Sequence, residues 1–189
     1  MILVADCGDS FVHNLSAMIA SSGHDVLTVP EDRCLQVSPR DVEAVVLSPG
    51  PGRPYPGRGS WGLYSAYLDS VPVLGVCLGH QTICAFHGAG IARGGGPMHG
   101  KLVSVEHSGR GLFEGVPQGF SAVRYNSLCA MVPEGSPLRV EARDGRGDVM
   151  AVSLPGHPVY GVQFHPESFL TEHGERIVGN FLREADRCV

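Results

Sequence analysis

The chain has 189 residues, enough for one hydrophobic core and short for two, so we expect a single domain over residues 1–189. Hydrophobic residues make up 43% of the sequence, charged residues make up 17%, and the formal net charge is -5. This balance is typical of globular proteins and provides no basic stripe to hold a phosphate backbone, so we expect no nucleic-acid partner.

The six cysteines are scattered without a CxxC pair, which favours reduced thiols over a disulfide framework. The N-terminal sequence MILVADCGDS contains no basic residue, and its apolar run is too short for a secretory signal. No other apolar segment approaches the length of a membrane span. We therefore expect a cytoplasmic protein with no membrane partner.

The first half of the sequence alternates short apolar runs with helix-length segments. A helix is predicted over residues 9–23, with Asp9 or Ser10 as its cap, Gly23 as its end and apolar residues at helical spacing. Strands that are apolar on both faces belong in a parallel sheet covered by helices on each side. The pattern predicts an open, doubly wound, mostly parallel α/β sheet with strands at residues 2–6, 25–30, 43–48 and 71–77.

In the second half, predicted strands follow one another and are separated by glycine and proline turns. They cover residues 101–107, 120–128, 138–145, 148–156 and 158–165, and they indicate a mixed or antiparallel extension of the sheet. Residues 172–187 are predicted to close the chain as a helix, because Ile177, Phe181 and Leu182 form one apolar stripe.

Cys77 lies in the segment GVCLGHQ, where a predicted strand meets a helix predicted over residues 78–88. Gly75, Cys77 and Gly79 have the form G-x-C-x-G, the thiol counterpart of the G-x-S-x-G nucleophile elbow. Such a turn presents the sulfur at the carboxyl edge of the sheet, and the helix N-terminus favours the thiolate. The pattern predicts a nucleophile, and a core cysteine that acts as a small hydrophobic residue is the alternative.

A zinc site is one competing interpretation of the same helix. Four potential ligands spread over about 15 Å on one helix, whereas zinc requires every ligand atom within about 2.3 Å of the ion. We therefore expect no metal and assign Cys84 and His87 to helix packing. The four residues are Cys77, His80, Cys84 and His87.

A phosphate loop is a second competing interpretation, because residues 95–101, GGPMHGK, satisfy G-x-x-x-x-G-K. Leu102 stands where Ser or Thr is needed, and KLVSVEH alternates like a strand where a phosphate loop must open into a helix. We expect no nucleotide site and no cofactor.

His165 is the candidate base for a nucleophilic cysteine, because it follows an apolar strand in GVQFHPES and precedes Pro166. Residues i and i+2 of an extended segment point the same way, so Glu167 can reach the imidazole and hold its tautomer. A surface His-Pro turn with a solvated glutamate is the alternative.

Together these motifs resemble those of the class I (triad) glutamine amidotransferases, above all the small glutaminase subunits of anthranilate synthase and aminodeoxychorismate synthase. The resemblance runs nearly end to end. It comprises DSF with NL at residues 9–15, LSPGPG at 47–52, GVCLGHQ at 75–81, MHGK at 98–101, RYNSL at 124–128 and GVQFHPESFLTEHG at 161–174.

The resemblance implies hydrolysis of the side-chain amide of L-glutamine, with Cys77 as nucleophile, His165 as acid and base, and Glu167 orienting His165. It also implies that a larger, chorismate-binding synthase subunit uses the ammonia, and the motifs do not decide between tryptophan, folate and secondary metabolism. One backbone donor to the oxyanion would be Leu78 N–H, and the second would come from Gly50 or Gly52 because proline has no N–H. The residues implied for the glutamine site are Gly50, Pro51, Gly52, Gln81, Ser127 and Leu128.

The sequence departs from this family pattern at three positions. Cys7 and Gly8 replace an asparagine and an aromatic residue, and Asn126 replaces a histidine. Two other functions also stay open: a stand-alone cysteine hydrolase acting on γ-glutamyl or peptide substrates, and a non-catalytic docking subunit. The first would turn over its substrate without a partner, and the presence of Cys77, His165 and Glu167 argues against the second.

Overall fold

A computed structural model describes residues 1–94 and 100–187. Within them, eleven strands are β1 (Ile2–Asp6), β2 (Val26–Pro30), β3 (Ala44–Leu47), β4 (Val73–Val76), β5 (Gly90–Arg93), β6 (Lys101–His107), β7 (Phe120–Arg124), β8 (Leu128–Met131), β9 (Arg139–Asp144), β10 (Val149–Leu154) and β11 (Val159–Val162). The α-helices are α1 (Phe11–Ser21), α2 (Gly59–Tyr67), α3 (Leu78–Phe86) and α4 (Gly174–Arg187). Single 3-10 turns lie at Cys34–Gln36, Pro39–Asp41 and Gly111–Phe113.

The main sheet has nine strands in the order β2-β1-β3-β4-β11-β10-β9-β6-β7. The first five are parallel neighbours, and the last four pair antiparallel. Strands β5 and β8 form a separate antiparallel ribbon. The predicted open, mostly parallel sheet with a mixed extension is therefore confirmed.

Helices cover both faces of the parallel strands, as their apolar sequences require. Successive residues of β1 alternate between two cores, because side chains on a strand point to opposite faces. Ile2 and Val4 pack in the core with α1 and α4, whereas Leu3 and Ala5 pack in the core with α2 and α3. The carboxyl ends of β1, β3, β4 and β11 therefore meet at one edge between the two layers.

The predicted first helix is present but shorter at both ends. The side chain of Asp9 caps it, since Oδ1 accepts the Phe11 N–H at 2.9 Å, whereas Ser10 makes no capping bond. Gly23 follows its end with a φ of +91°, a conformation that glycine adopts without strain. The predicted cap and end of this helix are thus confirmed, with Asp9 as the cap.

One predicted strand is wrong in its last third. Residues 120–128 do not form one strand, because β7 ends at Arg124 and the chain turns before β8. The side chain of Asn126 accepts the Leu128 N–H at 2.8 Å, which closes this turn. Helix α2 and strand β5 were not predicted from the sequence.

Three other expectations can be compared with the described residues. The described part of the chain contains no helix with the length and apolar character needed to cross a bilayer. In the same part, Cys7, Cys34, Cys77, Cys84 and Cys129 are buried and unbridged. Most of the GGPMHGK segment, residues 95–99, lies outside the described residues, and residue 101 begins β6 as predicted.

Candidate active site

Cys77 occupies the sharp turn between β4 and α3. Its φ is +53°, which is uncommon for a residue with a side chain and indicates backbone strain. A Cβ atom on Gly75 would lie 2.5 Å from the Gly79 carbonyl carbon, and one on Gly79 would lie 2.2 Å from the Leu47 oxygen. Only glycines fit at both positions, so the turn is as tight as the G-x-C-x-G pattern predicts.

Backbone contacts hold this turn at the edge of the sheet. The Cys77 N–H donates to the Val162 oxygen at 2.8 Å, and the Cys77 oxygen accepts the Gln81 N–H at 3.1 Å. Leu78 is the first residue of α3, so its N–H has no acceptor within the helix. A donor that α3 does not use thus lies next to Cys77 in the sequence.

His165 and Glu167 form a buried pair just beyond β11. The His165 Nδ1 atom lies 2.6 Å from Glu167 Oε1, and His165 is 1% exposed. The Thr171 hydroxyl donates to the His165 oxygen at 2.7 Å and accepts the Val123 N–H at 3.1 Å, which anchors the loop to β7. The Glu167 carboxylate therefore holds the His165 ring, and the Thr171 hydroxyl holds the His165 backbone.

Two aromatic rings enclose the imidazole. The Tyr125 ring meets it edge-on at a centroid distance of 4.9 Å, and the Phe11 ring does so at 5.3 Å. Phe11 and Tyr125 also stack on each other at 4.9 Å. These rings pack around the imidazole and restrict the orientation of its plane.

The surroundings of His165 favour its protonated form. Burial lowers the pKa of His165, but hydrogen bonding and charge interactions with Cys77 and Glu167 outweigh burial and raise the pKa from 6.5 to about 10. The second ring nitrogen, Nε2, is buried and has no well-aligned hydrogen-bond partner within the described residues. Cys77 is nevertheless close enough to act on the ring, so Nε2 is the nitrogen available to the sulfur.

The loop after β3, residues 48–52, lies beside the turn at Cys77. A Cβ atom on Gly50 would lie 2.6 Å from the Cys7 oxygen and 2.7 Å from a methyl carbon of Leu78, so this position also requires glycine. Gly52 has a φ of +84°, which again favours glycine. The loop therefore packs closely against the Cys7 backbone and the Leu78 side chain.

A cleft of about 910 Å³ opens over these residues. It brings together most of the predicted site residues, namely Cys77, His165, Gly50, Pro51, Gly52, Ser127 and Leu128. Three predicted residues lie behind its wall. Glu167 is buried and contacts His165, and Leu78 is buried at the start of α3. Gln81 is fully buried, and its amide donates to the Leu128 oxygen at 3.3 Å and to Gln163 Oε1 at 3.1 Å.

About half of the residues that line the cleft were not predicted from the sequence. The missed residues are Asp9, Arg53, Arg93, Gly94, Tyr125 and Asn126. Asp9 and Tyr125 belong to the DSF and RYNSL motifs, so their motif positions were a usable signal. Arg53 is held by its bond to the Ile91 oxygen at 2.8 Å, a contact between distant segments that no local pattern announces.

The other potential ligands in and just after α3 pack against neighbouring side chains. Burial lowers the pKa of His80 to about 3, so this side chain is neutral, and its ring contacts Cys84 Sγ at 3.7 Å. His87 Nε2 lies 2.7 Å from the Tyr64 hydroxyl. Among the residues that the structure describes, no group of three or more potential ligands is arranged to hold a metal ion.

Comparison with known proteins decides the family. The sequence profile described as glutamine amidotransferase class-I matches residues 3–185. The chain belongs to this family. The predicted family is thereby confirmed, and with it the expectation of a glutamine-hydrolysing enzyme.

Several curated relatives are similar over nearly the whole chain. Anthranilate synthase component 2 of Methanothermobacter marburgensis is 42% identical, over 97% of this chain and 98% of that protein. Aminodeoxychorismate synthase of Streptomyces pristinaespiralis is 41% identical over 95% of this chain, which corresponds to 26% of that longer protein. The bifunctional protein TrpGD of Thermotoga maritima is 38% identical over 98% of this chain and 32% of its own length. A domain of this kind therefore occurs both alone and within larger chains.

Solved structures agree on the fold. A protein from Thermoplasma acidophilum, whose crystal structure is described as that of a GMP synthase subunit, superposes with a TM-score of 0.85 at 23% identity, over 98% of this chain and 94% of that one. A glutamine amidotransferase from Thermotoga maritima superposes with a TM-score of 0.70 at 16% identity, over 98% and 84%. At these identities the likeness supports the fold alone.

Proposed function

We propose that this chain hydrolyses L-glutamine to glutamate and ammonia, and that it supplies the ammonia to a larger, chorismate-binding synthase subunit. One observation carries the proposal. The strained turn at Cys77 and His165, which the buried Glu167 holds from outside the lining, meet in one cleft of a class I glutamine amidotransferase. A core cysteine would not need a strained backbone at a cleft, and a surface His-Pro turn would not bury its histidine and glutamate.

In the first half of the reaction, the Cys77 thiolate attacks the side-chain amide carbon of glutamine. The resulting oxyanion accepts hydrogen bonds from Leu78 N–H and from the loop at Gly50 to Gly52, and each such donor contributes about 2.7–4 kcal/mol in measured cases. The His165 imidazolium gives its proton to the amide nitrogen, the C–N bond breaks, and ammonia leaves. A thioester on Cys77 remains.

In the second half, neutral His165 takes a proton from water. The oxygen attacks the thioester carbon, the C–S bond breaks, and glutamate leaves with the thiolate restored. Glu167 holds the Nδ1 proton throughout, so that Nε2 is the nitrogen that exchanges protons. The raised pKa of His165 supports this assignment, because the resting site needs an imidazolium beside the sulfur.

The charges around the cleft suit an amino acid with both an ammonium and a carboxylate group. The lining includes one carboxylate, Asp9, and two guanidinium groups, Arg53 and Arg93. Glycines at 50 and 52 allow the backbone to approach the ligand closely. A zwitterionic substrate of the size of glutamine also fits the volume of the cleft.

The partner is proposed from chemistry and from the relatives. The cleft residues suit amide hydrolysis, and the released ammonia must reach an acceptor. Relatives named as a synthase component, or matched within longer chains, support an acceptor in a neighbouring subunit or domain. We therefore expect a weak glutaminase alone and a faster one in the complex.

The test uses Cys77→Ala in a complex with a chorismate-binding synthase subunit. Glutamine-dependent synthesis should be abolished, while synthesis from added ammonia should persist, because only the nucleophile is lost. Cys84→Ala is the matched control, since it also removes a buried thiol from the same helix region but contacts His80 instead. It should keep both activities.

Three results would contradict the proposal. Glutamine-dependent synthesis by Cys77→Ala would rule out the nucleophile. Turnover of γ-glutamyl or peptide substrates without any partner, at a rate that a synthase subunit does not change, would favour the stand-alone hydrolase. Binding of the partner by a wild-type chain that never hydrolyses glutamine would favour a docking subunit.

A further inference from the structure

We propose that Arg58 is a positioning residue that fixes the peptide between Pro51 and Gly52 so that the Gly52 N–H faces the cleft. Arg58 is not among the residues that line the cleft, so it would act through the backbone of the loop. The inference rests on the proposed glutaminase function, and it concerns the loop that would supply the second backbone donor.

The guanidinium of Arg58 joins three segments that leave the carboxyl ends of β1, β2 and β3. Its Nη1 donates to the Pro51 oxygen at 3.1 Å, and its Nη2 donates to the Cys7 oxygen at 3.2 Å. Its Nε donates to Glu31 Oε1 at 2.8 Å. The guanidinium spreads its donors over three nitrogens in a fixed planar fork, so it can reach acceptors on separate segments, whereas all three donors of a lysine lie on one atom.

Glu31 makes this arrangement rigid. Its Oε2 atom accepts the Ser60 N–H at 2.9 Å, so the carboxylate also caps the start of α2. Burial raises the pKa of Glu31, but the bonds from Arg58 and Ser60 outweigh burial and lower it, so the carboxylate stays charged. The Arg58 and Glu31 side chains are only 11% and 18% exposed. Arg58 is therefore held from one side while it holds the loop from the other.

The geometry of the trans peptide relates the bond between Arg58 and the Pro51 oxygen to the direction of the Gly52 N–H. The described residues contain no cis peptide bond, and in a planar trans peptide the C=O and N–H groups point in opposite directions. The Pro51 oxygen points toward Arg58, so the Gly52 N–H points away from Arg58. Gly52 itself lines the cleft. Because Arg58 lies outside the cleft lining and Gly52 belongs to it, we infer that this N–H is directed into the cleft, where glutamine would lie.

The contacts fall where the sequence departs from the family pattern. Arg58 binds the carbonyl of Cys7, and Gly8 has a φ of +90° with its Cβ position 3.8 Å from Pro51 Cδ. The unusual pair Cys7–Gly8 therefore lies against the loop that Arg58 holds. We infer that this chain uses the guanidinium to keep that loop in its donor orientation.

The experiment compares wild type, Arg58→Ala and Arg58→Lys, with Arg40→Ala as an exposed arginine control outside the three segments. Two rates are measured in the complex with the synthase subunit: kcat/KM for glutamine, and alkylation of Cys77 by iodoacetamide. Alkylation needs the thiolate but no oxyanion donor. Both Arg58 variants should lose about 10-fold or more in kcat/KM, since a missing donor costs about 10²–10³, with alkylation within about 2-fold of wild type.

Other outcomes overturn the inference. Unchanged kcat/KM in both variants shows that the loop does not need Arg58. A parallel loss of alkylation and hydrolysis shows general damage to the site, and thermal unfolding of each variant identifies it. If Arg58→Ala does not fold, Arg58→Lys decides, because it keeps the charge beside Glu31 and loses the fork. If the wild-type complex shows no glutaminase activity, the proposed function itself is refuted. If the wild type and both Arg58 variants are equally active, only the inference about Arg58 is refuted.

Discussion

Oε1 of Glu167 lies 2.6 Å from Nδ1 of His165, and both side chains are almost completely buried. Such a short contact is typical of a charge-assisted hydrogen bond. Glu167 Oε2 is also buried and has no hydrogen-bond partner in the described chain. The carboxylate therefore directs its charge at one group, the imidazole, and leaves Nε2 to face the sulfur.

Glu167→Gln should reduce kcat for glutamine by about 10²–10⁴, by analogy with the acid of a hydrolase triad. The amide has nearly the same shape, but its NH₂ group can donate to Nδ1 and favour the wrong tautomer. KM should change little, because Glu167 does not line the cleft. Steady-state kinetics of the complex measure both quantities. Glu175→Gln, at an exposed glutamate in the first turn of α4, is the control. A variant at position 167 with wild-type kcat would remove Glu167 from the mechanism.

The pKa of His165 provides a second prediction, which histidine NMR can measure. Burial lowers this pKa, but Cys77 and Glu167 outweigh it and raise the value to about 10. Cys77→Ala removes one of these two causes, so the pKa of His165 should fall in that variant. Cys84→Ala, which contacts His80, should leave it unchanged. An equal pKa in wild type and Cys77→Ala would show that the sulfur and the ring do not interact.

The same shift makes stability depend on pH. The folded protein binds the His165 proton more tightly than the unfolded chain, whose histidine has a pKa of 6.5. The resulting stabilisation is complete below pH 6.5 and is lost as the pH rises toward 10. The difference in free energy of unfolding between wild type and His165→Gln should therefore shrink over that range. Urea titrations at several pH values measure it, and a constant or growing difference would contradict the raised pKa.

The sequence predicted the parts of the site that are local. The turn at Cys77 could be predicted because its glycines stand next to it, and the pair His165 and Glu167 could be predicted because residues two apart share one side of an extended segment. The sheet followed in the same way from strands with two apolar faces. Each of these features depends on neighbours within a few residues.

The missed features depend on residues that are far apart in the chain. Helix α2 has its cap in Glu31, so its start carries no local signal. The rings of Phe11 and Tyr125 meet around His165 only after β1, β7 and β11 have taken their places. Next to the break after β7, Arg124 forms buried ion pairs with Asp144 and Asp148. These partners are about 20 residues away in the chain, so the hydrophobic pattern of residues 120–128 does not predict them.

The buried ion pairs of Arg124 provide a prediction about stability. Arg124 is fully buried, and its Nη1 donates to Asp144 Oδ2 at 3.2 Å and to Asp148 Oδ2 at 3.0 Å. Asp144→Ala leaves a buried guanidinium with less compensation, so we expect a loss of about 3–5 kcal/mol in the free energy of unfolding. Glu184→Ala, which breaks the exposed pair with Arg187, should cost less than about 1 kcal/mol. Urea unfolding compares the two, and equal effects would show that burial of the pair does not matter.

Two glycine-to-alanine substitutions in helices should change stability in opposite directions. A methyl group at Gly79 would lie 2.2 Å from the Leu47 oxygen, a backbone atom that cannot move aside, so α3 must shift away from β3. We expect Gly79→Ala to lower the free energy of unfolding by about 1–3 kcal/mol or more. It should also reduce glutaminase activity, because the start of α3 carries Leu78 and follows Cys77.

Gly179→Ala is the matched variant in α4, where a Cβ atom meets nothing within 4 Å. Alanine loses less backbone entropy in a helix than glycine, so this change should raise the free energy of unfolding by about 0.5–1 kcal/mol and leave activity unchanged. Urea unfolding of both variants gives the sign of each effect. If Gly79→Ala were as stable and as active as wild type, the tight approach of α3 to β3 would not be what forms the turn that presents Cys77.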